Sequence, residues 1–356
     1  MTVEEFIPNE IHDTPAAIRA TIKETRPAAI QAASVVLARK PRRIFLVGNG
    51  TSLYSSMAAA YTGRALAQSA ADPYVLAVPA GDFRYFRPQL NEQDVVVGVS
   101  ASGEFRDVLA LFEELQGKCL RVGITHIAGS SITRLSDEVL ISAGGPSRAP
   151  VMTKTYASTL TAAHLLMLEC FNASGEIYQE LERSADRCEA ALQKATGIVP
   201  RMVEQLLNFE HAIYFGAGSA YAGSLEGALK MKEMAMLHAE GSETWEFASG
   251  PATIVNDKFF CAALYCGQGK DVDTALSARL ARSWGARLVE IGHQTVAGDW
   301  HLPVEAASFE PFSTLALVPP AALLAYQMAR ARGYNPNAPA WRERYLSQGM
   351  THILGK

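Results

Sequence analysis

One local pattern occurs twice in this chain, and the repetition narrows the folds open to it. Ile44-Phe45-Leu46-Val47 runs into Gly48-Asn49-Gly50-Thr51-Ser52, and Ile213-Tyr214-Phe215 runs into Gly216-Ala217-Gly218-Ser219-Ala220. Each is a β-rich run, a glycine turn and a helical start, the unit from which parallel sheets with helical crossovers are assembled. The preceding segments match too. Ala16 to Arg39 reads as a helix opened by Asp13-Thr14-Pro15, and Glu176 to Leu207 as a second long helix.

Further strands are expected at Tyr74 to Ala77, Val95 to Val99, Leu120 to Ile124 and Glu138 to Ile141, then at Phe259 to Tyr265 and Arg287 to Ile291, with a helix near Ala321 to Arg332. Unbroken apolar runs such as Val95-Val96-Val97 suit strands covered on both faces, so the class is α/β with parallel sheets. At 356 residues and 49% hydrophobic composition the chain has material for two cores. The Asn172-Ala173-Ser174-Gly175 break divides it into domains 1–174 and 175–356.

Charge excludes one class of partner. The net charge is −4 and no stripe of Lys or Arg forms, so nucleic acid is not expected. Cys119, Cys170, Cys188, Cys261 and Cys266 contain no C-x-x-C pair and read as reduced core thiols, with no metal site expected. The N-terminus carries Glu4, Glu5, Glu10 and Asp13, the wrong charge for a signal peptide. The apolar stretch Phe312 to Ala329 is interrupted by Pro319-Pro320, which favours a buried helix beginning after Pro320 over a membrane span. A cytoplasmic protein with no membrane partner is expected.

In open parallel sheets, ligands bind beyond the carboxyl ends of the strands, where helix N-termini present free N–H groups. Two such places carry hydroxyls here: Gly50-Thr51-Ser52 and Ser100-Ala101-Ser102-Gly103-Glu104. Short rotatable donors beside glycines suit a phosphate monoester. A dinucleotide is disfavoured because Leu53 stands where G-x-G-x-x-G needs its third glycine, and no acidic ribose partner follows; no cofactor is expected. In the second copy Glu226, Lys230 and Glu233 share one helix face, either as a solvated ion pair or as a reacting group. Standing on the helix that follows the equivalent turn favours the second account.

These segments, with 151–160 (VMTKTYASTL) and 225–240 (LEGALKMKEMAMLHAE), resemble the sugar isomerase (SIS) family in its double-domain form, as in the isomerase half of glucosamine-6-phosphate synthase. The resemblance implies two SIS domains, each a three-layer αβα, flavodoxin-like parallel sheet flanked by helices. It also implies phosphate binding by Gly50, Thr51, Ser52, Ser100, Ala101, Ser102 and Gly103, and substrate contacts from Thr153, Ser249 and Gln348. Glu233 would be the proton shuttle, with Lys230 and Glu226 at the reacting end of the sugar.

The implied activity is aldose–ketose isomerisation or deamination (or deglycation) of a phosphorylated amino sugar or ketosamine. A homodimer with its site near the subunit interface is implied, the segment from Trp245 to Pro251 contributing from the second subunit. Three positions depart from the family: Phe105 replaces a threonine, Ser249 the ring-opening histidine, and Gln348 a lysine, leaving His238 or His352 as substitute acids. Those departures motivate the alternative, a sugar-phosphate sensor that binds without turnover. Thr2, not cysteine, follows Met1, so no glutaminase nucleophile is expected and synthesis would need free ammonia.

Overall fold

A computed structural model of the chain describes residues 5–267, 269–293 and 295–344. The first half contains α1 (Phe6–His12), α2 (Thr14–Ala38), β1 (Arg43–Gly48), α3 (Thr51–Leu66), β2 (Tyr74–Pro79), α4 (Ala80–Phe86), β3 (Asp94–Val99), α5 (Arg106–Glu114), β4 (Leu120–Thr125), α6 (Ser131–Leu135), β5 (Glu138–Ile141) and α7 (Lys154–Cys170). After α8 (Gly175–Leu206) come β6 (His211–Gly216), α9 (Ser219–Ala235), β7 (His238–Glu243), α10 (Thr244–Ser249), β8 (Phe259–Leu264), α11 (Asp271–Ser283), β9 (Arg287–Gly292), β10 (Trp300–Pro303), α12 (Thr314–Ala331) and α13 (Ala340–Arg344).

Two five-stranded sheets result, in the orders β2-β1-β3-β4-β5 and β7-β6-β8-β9-β10. Every pairing in both is parallel. The duplicated sequence pattern is therefore a duplicated topology. β3, β4 and β8 are buried along their whole length, as expected for strands with helices on both faces. In the first sheet Arg43 donates from Nε and Nη2 to the two oxygens of buried Asp94, each at 2.7 Å, and these two residues face each other in the β1–β3 register. The bidentate pair thus sets the level at which the two strands begin.

The contacts divide the chain into two compact units, one containing Ala16–Ser147 and Lys154–Glu182, the other Arg148–Thr153, Arg183–Pro339 and the N-terminal helix. α1 packs on α12, burying Ile7 and Ile11, and the Ile7 N–H donates to Asn337 Oδ1 at 2.9 Å.

Three sequence expectations need correction. β7 and β10 were not foreseen. His238-Ala239-Glu240 closes the 225–240 segment, but the helix stops at Ala235 and Met236 takes a left-handed φ of 51° that turns the chain into β7. Nor do Pro319 and Pro320 delay α12, which starts at Thr314 and contains both. Their missing N–H groups forfeit bonds to the Leu315 and Ala316 carbonyls. Burial of the stretch Glu310–Ala331, 94% of whose most apolar segment lies inside the protein and which packs along α9, outweighs that loss. Its mean hydropathy of 1.3 would suit a membrane span, but here it is the core of the second unit.

A buried histidine ties α3 to α7. His164 is fully buried with Nδ1 2.8 Å from Thr62 Oγ1, and burial pushes its pKa from 6.5 down to about 3. The unfolded chain therefore takes up this proton first, and stability present above pH 6.5 is lost as pH falls toward 3, by an amount on the order of a few kcal/mol. Urea unfolding at pH 7, 5 and 4 checks this: His164→Asn should flatten the slope. An unchanged slope would assign the acid sensitivity to other groups.

Candidate functional site

In the order β2-β1-β3 the chain leaves β1 toward one side of the sheet and continues from β3 toward the other, which opens a crevice at the carboxyl ends of β1 and β3. Both hydroxyl motifs stand there. Gly50, at φ 51° and ψ −129°, turns the chain so that Thr51 and Ser52 begin α3. Ser100 closes the other side: its Oγ accepts the Gly103 N–H at 3.1 Å, and the Ala101 carbonyl accepts from His126 N and Thr125 Oγ1. Gly103 is obligatory, since at φ 69° an added Cβ would lie 2.1 Å from Ser130 Oγ. Exposed Ser102 accepts the Glu104 N–H at 3.2 Å, while the Glu104 carboxylate holds the Ser131 N–H and hydroxyl, each at 2.8 Å.

The crevice thus brings together Gly50, Thr51, Ser52, Ser100, Ala101, Ser102 and Gly103. Helix N–H groups and hydroxyls suit a tetrahedral oxyanion. Phe105 packs instead against the apolar cluster around Phe45, Val96 and Phe112, so the side chain replacing the family threonine faces the core. At the rim, Asn49 Nδ2 donates to Asp107.

In the second unit, Lys230 Nζ lies 3.1 Å from Glu226 Oε1 and 2.5 Å from Glu233 Oε2. The side chains of Glu226 and Lys230 are 0% and 1% exposed and that of Glu233 is 29% exposed, which rules out a solvated face. Burial opposes the Lys230 charge, but the flanking carboxylates outweigh it and raise the ammonium pKa. Lys230 is therefore a fixed cation, and Glu233 is the member of the three that reaches solvent.

A family comparison adds what geometry alone does not. The SIS domain pattern matches residues 37–169, which contain the whole crevice. Residues 37–169 are a SIS domain. Over 345 residues the chain is 29% identical to the glutamine–fructose-6-phosphate aminotransferase (isomerizing) of Methanothermobacter thermautotrophicus, covering 94% of this chain and 56% of that protein. This chain spans little more than half of that relative. Solved structures with the same architecture include the C-terminal domain of glucosamine-fructose-6-phosphate aminotransferase from Francisella tularensis, with TM-score 0.83, 21% identity, and coverage of 95% of this chain and 99% of that one. Another is glucosamine-6-phosphate deaminase from Thermotoga maritima, with TM-score 0.75, 23% identity, and coverage of 94% and 98%. At these identities the likeness is one of fold.

Outside the SIS domain crevice, the remaining candidates are scattered. Thr153 is grouped with the N-terminal helix, where buried Glu10 accepts the Arg148 and Ala149 N–H groups at 2.7 and 3.0 Å and the Thr153 hydroxyl at 3.5 Å. Ser249 is exposed at the end of α10, its Oγ donating to the Trp245 carbonyl. His238 opens β7 at the amino edge of the second sheet, with Nδ1 3.3 Å from His211 Nδ1. Gln348 and His352 lie outside the described residues.

Glu226, Lys230 and Glu233 stand on the helix that follows the second glycine turn, two to four helical turns beyond it, roughly 10 to 20 Å at 1.5 Å per residue. The turn itself is taken by a group that the sequence reading passed over. Glu310 Oε1 accepts the Ser219 N–H at 2.6 Å, and its other oxygen pairs with Lys270. Its signal was available: Glu310 is the only acid between Ala306 and Ala329, and an acid in such a stretch must find partners if buried.

Proposed function

We propose that the chain is a phosphosugar isomerase or deaminase that acts on a phosphorylated amino sugar or ketosamine. The carrying observation is the hydroxyl-lined crevice at the switch point of the SIS domain, matched by a carboxylate–ammonium–carboxylate group on α9 with one accessible oxygen acid. The crevice anchors the phosphate; Glu233, of the same chain or of a second copy in a homodimer, takes the proton from the carbon beside the carbonyl and returns it to the neighbouring carbon. The Lys230 ammonium stabilises the enediolate charge that develops between those steps. For a 2-amino aldose the proton leaves C2 and enters C1, the resulting C2 imine adds water, and ammonia departs. The names of the relatives support this substrate class. A cytoplasmic location fits such metabolites.

Incubating the purified chain with glucosamine-6-phosphate, galactosamine-6-phosphate and fructosyl-amino-acid phosphates, and measuring ammonia, amino acid and ketose phosphate, tests the proposal. Product release from one of them is expected. Phosphate-dependent binding with no product from any would replace the enzyme with a sensor.

A further inference from the structure

The two glycine turns have the same backbone and different occupants. Gly50 sits at φ 51°, ψ −129° and Gly218 at φ 60°, ψ −131°, and each precedes a long helix, α3 or α9. Each also lies at its own sheet's switch point, because β7-β6-β8 repeats the order β2-β1-β3. In the first unit hydroxyls line that crevice. In the second, one carboxylate oxygen of Glu310 receives the Ser219 N–H at 2.6 Å, the other pairs with Lys270, and the Ser219 hydroxyl donates to the Glu310 carbonyl at 3.0 Å. The fit is tight: a Cβ added to Gly218 would lie 2.6 Å from Glu310 Oε1 and 3.1 Å from Lys270 Nζ. Burial alone would raise the Glu310 pKa, and the bonds from Lys270 and Ser219 reverse this and hold it below the usual value, so an anion occupies the turn.

We propose that the second glycine turn is an oxyanion site held shut by the chain's own Glu310 carboxylate, and that removing this side chain opens it to inorganic phosphate. The two carboxylate oxygens mark where two phosphate oxygens would sit, on the helix N–H and on the ammonium. With Glu310 in place, the second turn is closed to a sugar phosphate. The inference stands on the second unit alone and does not depend on what the first crevice binds.

The test compares the intact chain with Glu310→Ala, using inorganic phosphate as probe against chloride at equal ionic strength. Calorimetric titration should show one more phosphate per chain in Glu310→Ala than in the parent. At about ten times the dissociation constant, phosphate should raise its melting temperature by roughly 2–4 °C more than it raises the parent's. Adding Lys270→Met to Glu310→Ala should abolish both gains. Because the readout is a difference between chains with the same first turn, failure of the first crevice to bind phosphate leaves it interpretable. If Glu310→Ala folds poorly, refolding in phosphate should recover more native protein than refolding in chloride. Equal stoichiometry and equal melting shifts in the two chains, or equal recovery in the two salts, overturns the proposal.

Discussion

Replacing Lys230 with methionine is expected to cost about 3–5 kcal/mol of stability, the loss seen when one partner of a buried ion pair is removed. Methionine fills nearly the same volume, so the loss is electrostatic and not a cavity effect. The Glu226 side chain is 0% exposed, with its Oε1 3.1 Å from the ammonium, and removing that cation takes a counter-charge away from a buried carboxylate. Glu233, at 29% exposure, can turn toward water, so the penalty falls on Glu226. Two comparisons by urea unfolding separate this from simple mispacking. Pairing Lys230→Met with Glu226→Leu should recover most of the loss, because neither charge then remains. Lowering the pH toward 5 should narrow the gap between Lys230→Met and the parent, because a stranded carboxylate has a raised pKa and regains neutrality early. A Lys230→Met chain within 1 kcal/mol of the parent would show that this cation does not hold the group together.

Glu233→Gln is expected to lower turnover by roughly 10² to 10⁴ while leaving folding and phosphate-dependent binding nearly unchanged. Glutamine keeps the shape and can still accept from Lys230, which retains Glu226 as counter-charge, but an amide cannot take a proton from carbon. Three measurements belong together: steady-state rate on the best substrate, its dissociation constant, and exchange of the substrate's C–H hydrogen with deuterium from solvent. Rate and exchange should fall together, and affinity should stay within a few fold. Retention of both to within threefold of the parent would place the shuttle on another residue.

Glu226, Lys230 and Glu233 also show where sequence reading stops. Their spacing put them on one face, because helical periodicity is a local property. Whether that face met water or core depended on the elements packed against α9, α12 among them, which are distant in the chain. The same limit hid β7. A short segment after a helix has no decisive pattern of its own, and pairing of His238–Glu243 with β6 made it a strand.

Glycines at 48, 50, 216 and 218 and unbroken apolar runs such as Val95–Val99 were enough to read two parallel α/β halves, and hydroxyls at Thr51, Ser52 and Ser100 to propose an anion cradle, since each acts through its own backbone conformation or its immediate neighbours. Tertiary packing alone revealed that one of two equivalent turns is filled from within. Ser219 and Glu310 stand far apart along the chain, and nothing short of the folded second sheet brings that carboxylate onto that N–H. The charge of Lys230 and the core-facing turn of Phe105 follow the same rule: burial and partnership are properties of the assembled fold.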